Sequence, residues 1–436
     1  MILDMIKKGI LSILLGTFVF AAPAGAFARG GLTYQYLERI NTPQYAEVGS
    51  NFIEIEGQAD KERIARWDLY YEGQGRFYTG KGGGFMGSIP EAYIQRNRGN
   101  TSITIGRKLL TWSPNQKFWN LGNLNANRGF SLMEEKEEGI MAAHFDRRVG
   151  AWDFSFFASA LHIPQINPGY KVVDGELKGV NEWSSLPYKE ISFNGQRVPI
   201  EYELQTPEYQ KLLLQESIGA KIGRKVFGVK VWAYGTYKPE NQIRVVASGI
   251  YDPVKDRAVV KAKPFVNHHL MWGMGSEVKS GKLTVKTGWD VVHPRVGETE
   301  SPEFQALEIK PTYYKEVYAH TSANWDYDTF DVSVNYLHLV EGKEDASLAF
   351  SKKSMWRRAV GISIGYDITE NFRLAFKERF DIQLRDSLFQ SVLAYRVTKH
   401  ATVKLGIEVL DSPKSNSFWN PYRTNDTIFS SLGYLF

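Results

Sequence analysis

The stretch Asn425-Asp426-Thr427-Ile428-Phe429-Ser430-Ser431-Leu432-Gly433-Tyr434-Leu435-Phe436 alternates between two kinds of side chain. One parity carries large apolar residues, interrupted only by Ser430: Ile428, Leu432, Tyr434 and Phe436. The other parity carries small or polar residues: Thr427, Ser431 and Gly433. A period of two places alternate side chains on opposite faces of a strand. The stretch therefore predicts a strand with one face toward lipid and the other toward water.

The same alternation recurs along the chain, most clearly in residues 65–77, 282–291, 330–336, 372–381 and 403–409. The first of these runs exceeds the roughly 9–11 residues that a tilted barrel strand needs to cross a bilayer. In hydrocarbon every backbone N–H and C=O must be paired within the sheet, so such a sheet must close on itself. A soluble β-sandwich also alternates, but it does not explain long strands with one polar face over the whole chain. The pattern predicts an all-β fold, a transmembrane antiparallel up-and-down β-barrel.

Short turns alternate with longer polar stretches, as periplasmic turns alternate with extracellular loops in such barrels. The predicted turns are Ala59-Asp60, 97–100, 147–150, Arg224-Lys225, 279–281, 326–328, 367–371 and Thr398-Lys399. Eight turns pair sixteen strands, and the first and last strands bring the prediction to about 18, with 16 as the alternative. This count assigns residues 31–40 to the first strand. The longest polar stretches are 113–137, 163–214 and 240–262.

Residues 1–28 have the pattern of a cleaved secretory signal. Lys7 and Lys8 precede an apolar run over 9–20, and small residues follow up to Ala28. The apolar run is shorter than the roughly 20 residues of a membrane-spanning helix. Cleavage after Ala26 or after Ala28 fits equally well. We expect residues 29–436 to form the barrel, because no linker or change of composition divides them.

The C-terminal strand resembles the last strand of bacterial outer-membrane β-barrels, which ends on an aromatic residue. The chain is therefore similar to the Gram-negative outer-membrane porins. The resemblance implies location in the outer membrane of a Gram-negative bacterium, with membrane lipid and lipopolysaccharide around the barrel. It also implies recognition by the outer-membrane assembly machinery through Tyr434 and Phe436, and small hydrophilic solutes as transported partners. Because trimers are common among porins, a homotrimer is consistent with the resemblance.

A second resemblance lies in residues 103–113, which are followed by the stretch 120–125. This segment is similar to the strand and loop with a GRQ…W pattern in alginate-export-type and related porin-like barrels. The matching residues are Gly106, Arg107, Lys108 and Trp112, with Lys108 where those families often have Gln. The resemblance implies that Arg107 and Lys108 line the lumen near the outer mouth. Parity instead places Arg107 with the lipid-facing residues, so either a bulge after Gly106 turns it inward or the match is chance.

An 18-stranded barrel is too wide for its wall side chains to fill, so a lumen is expected. The predicted pore-lining basic residues are Arg66, Arg76, Lys230, Lys238, Lys282, Lys286, Arg373, Lys377, Arg379 and Lys404. The predicted pore-lining acidic residues are Asp68, Glu72, Glu91, Asp153, Asp290, Asp331, Asp381 and Glu408. Ten basic against eight acidic side chains fit a hydrated wall with cross-strand ion pairs. The clusters Lys282/Lys286 and Arg373/Lys377/Arg379 also fit a basic track that favours anions. We expect a mild anion preference.

The stretch 163–214 is the predicted constriction. It contains five prolines and the apolar Leu212-Leu213-Leu214, which predicts a short helix after Pro207. Long segments without an evident strand are usually functional or disordered. Both an inward fold that narrows the pore and an outer cap remain open.

Motifs that elsewhere mark catalysis or metal binding have structural explanations here. Ser363 of the G-x-S-x-G match lies within a strand pattern rather than at a strand-to-helix turn. Gly82, Gly84 and Gly87 precede another strand rather than a phosphate-binding helix. The pair His268-His269 has no further ligand at metal spacing. The chain has no cysteine, and its charge of +5 is too small to suggest nucleic acid. We predict no catalytic site, metal or cofactor.

Tryptophans near predicted strand ends suggest the interfacial girdles of a membrane barrel. They are Trp112, Trp152, Trp232, Trp325 and Trp356. Among functions, a passive diffusion channel needs only a wet, charged lumen and loops, so it is the favoured prediction. The alternative is a substrate-specific channel or a polysaccharide exporter of the alginate-export type. An outer-membrane enzyme is disfavoured because no Ser/His pairing is evident.

Overall fold

The structure is a computed structural model. It describes residues 28–39, 51–64, 66–79, 84–114, 116–127, 131–165, 170–173, 176–179, 183, 189–193, 195–206, 208–295, 314–342 and 354–436. Apart from Ala28, the predicted signal lies outside these residues, so it stays a prediction.

Eighteen antiparallel strands form one closed sheet. They are β1 Ala28–Arg39, β2 Phe52–Ile64, β3 Trp67–Tyr78, β4 Phe85–Arg98, β5 Thr101–Lys108, β6 Ile140–Val149, β7 Trp152–Ser159, β8 Ser217–Val226, β9 Val229–Pro239, β10 His268–Ser280, β11 Leu283–Arg295, β12 Glu316–Asp326, β13 Phe330–Glu341, β14 Arg358–Asp367, β15 Phe372–Asp381, β16 Ser387–Arg396, β17 Ala401–Asp411 and β18 Thr427–Leu435. Each strand pairs with the next, and β1 pairs with β18 from Gly31 opposite Leu435 to Arg39 opposite Thr427. The predicted all-β barrel is confirmed, with 18 strands rather than 16.

Short connections join consecutive strands at one end of the barrel, at 99–100, 150–151, 227–228, 281–282, 327–329, 368–371 and 397–400. Gly99, Gly150 and Gly281 have φ of 56°, 58° and 57°, a conformation that glycine adopts without a Cβ clash. The turn predicted at Ala59-Asp60 is wrong, because β2 continues to Ile64. A register shift between Ala59 and Glu62 marks a bulge there, which absorbs extra residues without ending the strand.

The outer wall has the apolar face predicted for the last strand. Ile428, Leu432 and Tyr434 are exposed on β18, whereas Thr427 and Ser431 are buried on its other face. Exposed apolar side chains continue around the barrel, including Leu32, Ile55, Ile105, Phe154, Ile222, Trp272, Trp289, Val334 and Leu405. An apolar belt around a closed sheet suits contact with hydrocarbon.

The predicted tryptophan girdle is correct only in part. Trp152 and Trp325 are exposed near strand ends, as expected. Trp112, Trp232 and Trp356 are buried, so the prediction is wrong for them. They pack inside the barrel, where apolar side chains of the loops form their own core.

The loop end carries the remaining secondary structure. Two short α-helices lie in the described residues, α1 Gln116–Trp119 and α2 Tyr209–Leu213, together with a 3₁₀ turn at Asn420–Tyr422. None of these described helices is long and apolar enough to cross a membrane. Paired loop strands are Ala126–Asn127 with Glu137–Glu138, and Tyr170–Val173 with Glu176–Gly179.

The predicted constriction at 163–214 shares a sheet with the loop before β10. In the described part, Gln196–Leu204 pairs with Glu190–Phe193 and, in parallel, with Arg257–Phe265. Arg257–Phe265 then pairs with Arg244–Asp252 to complete four strands. Part of 163–214, including 166–169, 180–182 and 184–188, lies outside the described residues, and its role as a constriction stays a prediction.

Candidate functional site

The connection between β5 and β6, residues 109–139, leaves the wall and reaches the opposite side of the barrel; we call it the crossing loop. Arg379 on β15 donates hydrogen bonds to the carbonyls of Phe118 and Met133 at 3.4 and 3.3 Å. Phe118 also contacts Gly361 on β14. Because β14 is the ninth strand from β5 in either direction around the 18-stranded sheet, these contacts place the loop across the lumen.

A buried carboxylate on β11 holds the outgoing arm of the crossing loop. Asp290 accepts hydrogen bonds from Ser113 Oγ and from Gln116 Nε2, the latter at 3.1 Å. It also accepts one from Tyr234 Oη at 2.6 Å, and His320 Nε2 lies 3.4 Å away. An ionised carboxylate accepts about four hydrogen bonds, so these groups use its capacity. Asp290 therefore serves as an anchor for the loop rather than as an open pore-lining charge.

Lys238 on β9 forms a second anchor. Its Nζ donates to Asn241 Oδ1 at 2.7 Å and to the Asn123 carbonyl at 3.4 Å. Asn241 Nδ2 in turn donates to the Gly122 carbonyl at 2.7 Å. Lys238 is fully buried by these contacts. Its charge is thus used to hold backbone carbonyls, which a buried ammonium needs as partners.

Aromatic side chains fix the tip of the crossing loop. Trp356 Nε1 donates to the Trp119 carbonyl at 2.9 Å, and their rings lie 5.5 Å apart. Trp419 packs on Trp356 with ring centroids 5.3 Å apart. Trp183, from the stretch 163–214, packs on Tyr422 in the same buried cluster at 5.6 Å. This cluster fills part of the barrel with a hydrophobic core.

Ion pairs hold the returning arm to two different walls. Glu134 pairs with Arg76 on β3 at 2.6 Å, and Arg76 also pairs with Glu54 on β2. The next residue, Glu135, pairs with Lys377 on β15. Adjacent acidic residues of the loop thus meet basic residues from separate sides of the lumen. Arg76 and Lys377 face the interior but are bound to loop carboxylates.

The Gly-Arg pair at the end of β5 holds the base of the crossing loop. Arg107 donates to the Ile89 and Gly139 carbonyls at 2.7 and 2.9 Å and pairs with Glu138 at 2.8 Å. Gly106 has φ of 131°, and a Cβ there would lie 2.7 Å from Tyr93 Cα, so only glycine fits. The register of β5 with β6 runs unbroken from Thr101 to Lys108. The backbone at Gly106, rather than a bulge, turns Arg107 away from the outer surface.

The other predicted pore residues occupy three kinds of position. Arg66 and Lys282 lie in short turns rather than on wall strands, and Lys282 pairs there with Asp328 at 3.3 Å. Asp381 accepts backbone hydrogen bonds at 2.6 and 2.8 Å from Arg357 and Leu384 of neighbouring loops. The first kind is thus a short turn, and the second is a strand end that binds loop backbone. The third kind is a position on the inner wall.

Inner-wall residues form cross-strand contacts, as expected for a hydrated wall. Arg373 pairs with Asp331 and with Asp367, the latter at 3.1 Å, and Lys286 lies 3.7 Å from Glu277. Glu408 accepts from Gln390 at 2.6 Å, and Glu91 accepts from the Leu109 backbone at 2.8 Å. Asp68 and Glu72 on β3 and Lys404 on β17 share the inward parity of their strands.

Two cavities lie along the crossing loop, toward the short-turn end of the barrel. The first, of about 470 Å³, is lined by loop residues 109–112 and by wall residues of β4 to β9. Its charged lining residues are Lys108, Asp146, Arg147, Arg148, Asp153, Lys221 and Lys230. Arg147 shares the outward parity of Phe145 and Val149, which leaves four basic and two acidic side chains with inward parity; we call it the basic cavity.

The second cavity, of about 380 Å³, lies between the crossing loop and strands β11 to β13. Its lining residues are Pro114, Lys117, Phe118, Glu135, Thr284, Lys286, Ser322, Asn324, Asp326, Ser333 and Asn335. The two lysines and two carboxylates balance, so we call it the neutral cavity.

Glu137 on the crossing loop has a perturbed acidity. Burial raises the pKa of its carboxyl to about 7, against the opposing effects of Lys117 and an Asn125 hydrogen bond. The loop therefore carries a group that changes charge near neutral pH. No cluster of three metal-ligating side chains occurs within the described ranges.

The fold resembles solved outer-membrane channels. OccK2 (OpdF) of Pseudomonas aeruginosa, solved in complex with glucuronate, matches with a TM-score of 0.50 at 8% identity, covering 94% of this chain and 97% of that one. A BenF-like porin from Pseudomonas fluorescens Pf-5 matches with a TM-score of 0.50 at 8% identity, covering 95% and 98%. The barrel thus has the fold of Gram-negative outer-membrane porins. No protein-family model matches the chain, and no curated protein sequence matches it.

Sequence reasoning missed the crossing loop as a functional element. The sequence pattern indicates only a long polar connection at 113–137, and it places the predicted constriction at 163–214. Apolar residues within the crossing loop were the available signal: Leu110, Trp112, Trp119, Leu121 and Leu124. A surface loop rarely needs such residues, because they require something to pack against.

Proposed function

We propose that this protein is an outer-membrane channel for the passive diffusion of small hydrophilic solutes, with a mild preference for anions. The observation that carries the proposal is the pair of polar cavities along a loop that crosses a closed barrel. The apolar belt suits lipid and the polar lumen suits water. Solutes would pass where the crossing loop leaves the lumen open.

The basic cavity supports the anion preference. Asp146 pairs with Lys108 at 3.1 Å, and Asp153 pairs with Arg148 at 2.8 Å. Both acidic residues are therefore balanced. Arg147 shares the outward parity of Phe145 and Val149 on β6, so Lys221 and Lys230 remain as surplus positive charge. Basic side chains that line a pore favour anions.

A substrate-specific channel is the second candidate. Two cavities of different charge and polarity lie along one anchored loop. They would select solutes by chemistry as well as by size. By analogy with the glucuronate complex of OccK2, a hydroxylated acid is one such solute. Polysaccharide export has less support, because Arg107 is bound to Glu138 instead of facing solute.

Further proposals concern the surroundings of the barrel. We propose that lipid and lipopolysaccharide contact the apolar belt, and that the assembly machinery recognises Tyr434 and Phe436. The short turns would then face the periplasm and the loops the exterior. A homotrimer stays a prediction.

Planar-bilayer recordings test the proposed function. We expect steady single-channel currents. In a KCl gradient, the reversal potential should lie nearer the equilibrium potential of chloride than that of potassium. Liposome swelling with graded sugars and organic acids separates a general channel, which selects by size, from a specific one. An absence of conductance would refute the channel, and cation selectivity would refute the anion preference.

A further inference from the structure

Uncharged polar side chains form the largest group in the lining of the neutral cavity. Five uncharged polar side chains converge on it from three adjacent strands: Thr284, Ser322, Asn324, Ser333 and Asn335. Hydroxyl and amide side chains each offer both a hydrogen-bond donor and an acceptor. The crossing loop closes the other side with Pro114 and Phe118. Such a lining can bind a ligand that itself both donates and accepts hydrogen bonds.

Ser322 gives the cavity an unsatisfied polar group. The residue is 2% exposed, and its Oγ has no hydrogen-bond partner within the part of the chain that the structure describes. A buried hydroxyl without a partner is costly, so such groups normally find one. Asn335, across the cavity wall on β13, is also buried and donates to Ser333 Oγ at 2.7 Å. A ligand hydroxyl in the cavity would give Ser322 its missing partner.

The charges at the cavity do not favour an ion of either sign. Glu135 is paired with Lys377, and Lys286 lies 3.7 Å from Glu277. Lys117 and Asp326 are exposed and opposite in sign. The volume of about 380 Å³ lies at the small end of the range of about 300–1,000 Å³ for ligand pockets. The space therefore suits one small uncharged molecule at a time.

We propose that the neutral cavity is a binding site for a neutral polyhydroxylated solute of monosaccharide size. The proposal rests on the proposed channel function, and it adds a solute class to it. The solute would pause beneath the crossing loop, with its hydroxyls bonded to Ser322 and Asn335. Occupancy would obstruct the ion path, so binding can be measured as a block of current.

Three hexoses of equal ring size test the charge preference: glucose is neutral, glucuronate is an anion and glucosamine is a cation. Each is added to the wild-type channel in a planar bilayer at fixed salt, and the half-blocking concentration is measured. We expect glucose to block at a lower concentration than glucosamine, whereas glucuronate can also bind in the basic cavity and is compared only between the wild type and the variants below. If glucosamine blocks at a lower concentration than glucose, or if glucose does not block an open channel, the binding site is refuted while the channel function stands. A protein that carries no current at all refutes the channel function instead.

Variants locate the site. Ser322→Ala combined with Asn335→Ala should raise the half-blocking concentration of glucose by about tenfold, the effect of losing two hydrogen bonds. Ser155→Ala is the matched control, because Ser155 lines the basic cavity, and it should leave glucose block unchanged. Equal glucose block in the double variant and the wild type would refute the site. If the double variant does not fold, Ser322→Ala alone is compared with the wild type. A raised half-blocking concentration of glucose would then support the site, and an unchanged one would refute it.

Discussion

The two cavities lie along the same crossing loop and have similar volumes, about 470 and 380 Å³, yet their chemistry differs. The basic cavity has a surplus of positive side chains, whereas the neutral cavity has balanced charges and a row of hydroxyls and amides. Ten basic against eight acidic residues are predicted to line the whole pore. The difference between the cavities shows that this total averages regions of different local charge. Selectivity of such a lumen depends on which charges the loop neutralises and which it leaves free.

The largest expected effect comes from releasing the loop that both cavities share. Asp290→Ala removes the acceptor for Ser113, Gln116 and Tyr234. Leaving buried donors without an acceptor costs about 1–3 kcal/mol for each group. We expect the outgoing arm to detach and the single-channel conductance to rise, because both cavities lose a wall.

Asp331→Ala is the control for this prediction. Its carboxylate pairs with Arg373 on β15, rather than with the crossing loop, at a half-exposed position, where an ion pair contributes about 0–1 kcal/mol. Its conductance should remain near the wild-type value. An unchanged conductance in Asp290→Ala would show that the loop does not limit the pore.

A smaller effect is expected when the contrast in charge between the cavities is removed. Lys221→Glu together with Lys230→Glu leaves the basic cavity with two basic and four acidic inward side chains in place of four and two. We expect the reversal potential in a KCl gradient to move toward cations, since pore-lining charge selects the counter-ion. Lys282→Glu, in a turn outside both cavities, should change it little. Equal shifts in the two variants would contradict a local role for the basic cavity.

The smallest effect is a pH dependence beside the neutral cavity. Because burial raises the pKa of Glu137 from 4.5 to about 7, ionisation between pH 6 and pH 8 adds a negative charge to the loop. Cation permeability should rise modestly over this interval, and Glu137→Gln should abolish the rise. If cation permeability rises by the same amount in Glu137→Gln, the pH dependence comes from another titrating group.

The same carboxyl affects stability, with a defined sign. A folded-state pKa above the unfolded value means that the folded protein binds the proton more tightly. The contribution of protonated Glu137 is therefore complete below about pH 4.5 and is lost as the pH rises through about 7. Urea unfolding from liposomes should show this decline in the wild type and less of it in Glu137→Gln.

The wall of the barrel could be predicted from the sequence because a period of two is a local signal. Ile428, Leu432 and Tyr434 lie outside and Thr427 lies inside, as the alternation predicts. Trp232 shares the parity of Lys230 and Lys238, which are predicted to line the pore, so parity places it inside and the girdle prediction conflicts with that parity. What parity could not show is its partner, the Trp112 carbonyl of a distant loop. The same limit applies to Asp290 and Lys238, which looked like pore-lining charges but hold the crossing loop. Contacts between a loop and strands far along the chain have no local signature.

The position of the crossing loop can be tested directly by chemical cross-linking, because the chain has no cysteine of its own. Glu135→Cys with Lys377→Cys places two thiols at an ion pair between the loop and β15. Glu54→Cys with Arg76→Cys, on paired positions of adjacent strands, is the positive control. In folded protein in lipid, a short bifunctional thiol-reactive cross-linker such as a bismaleimide, which adds one cysteine sulfur to each of its two maleimide rings, should link both pairs, and proteolysis should recover the joined fragments. Linkage of the control pair without linkage of the loop pair would contradict a loop that crosses the lumen.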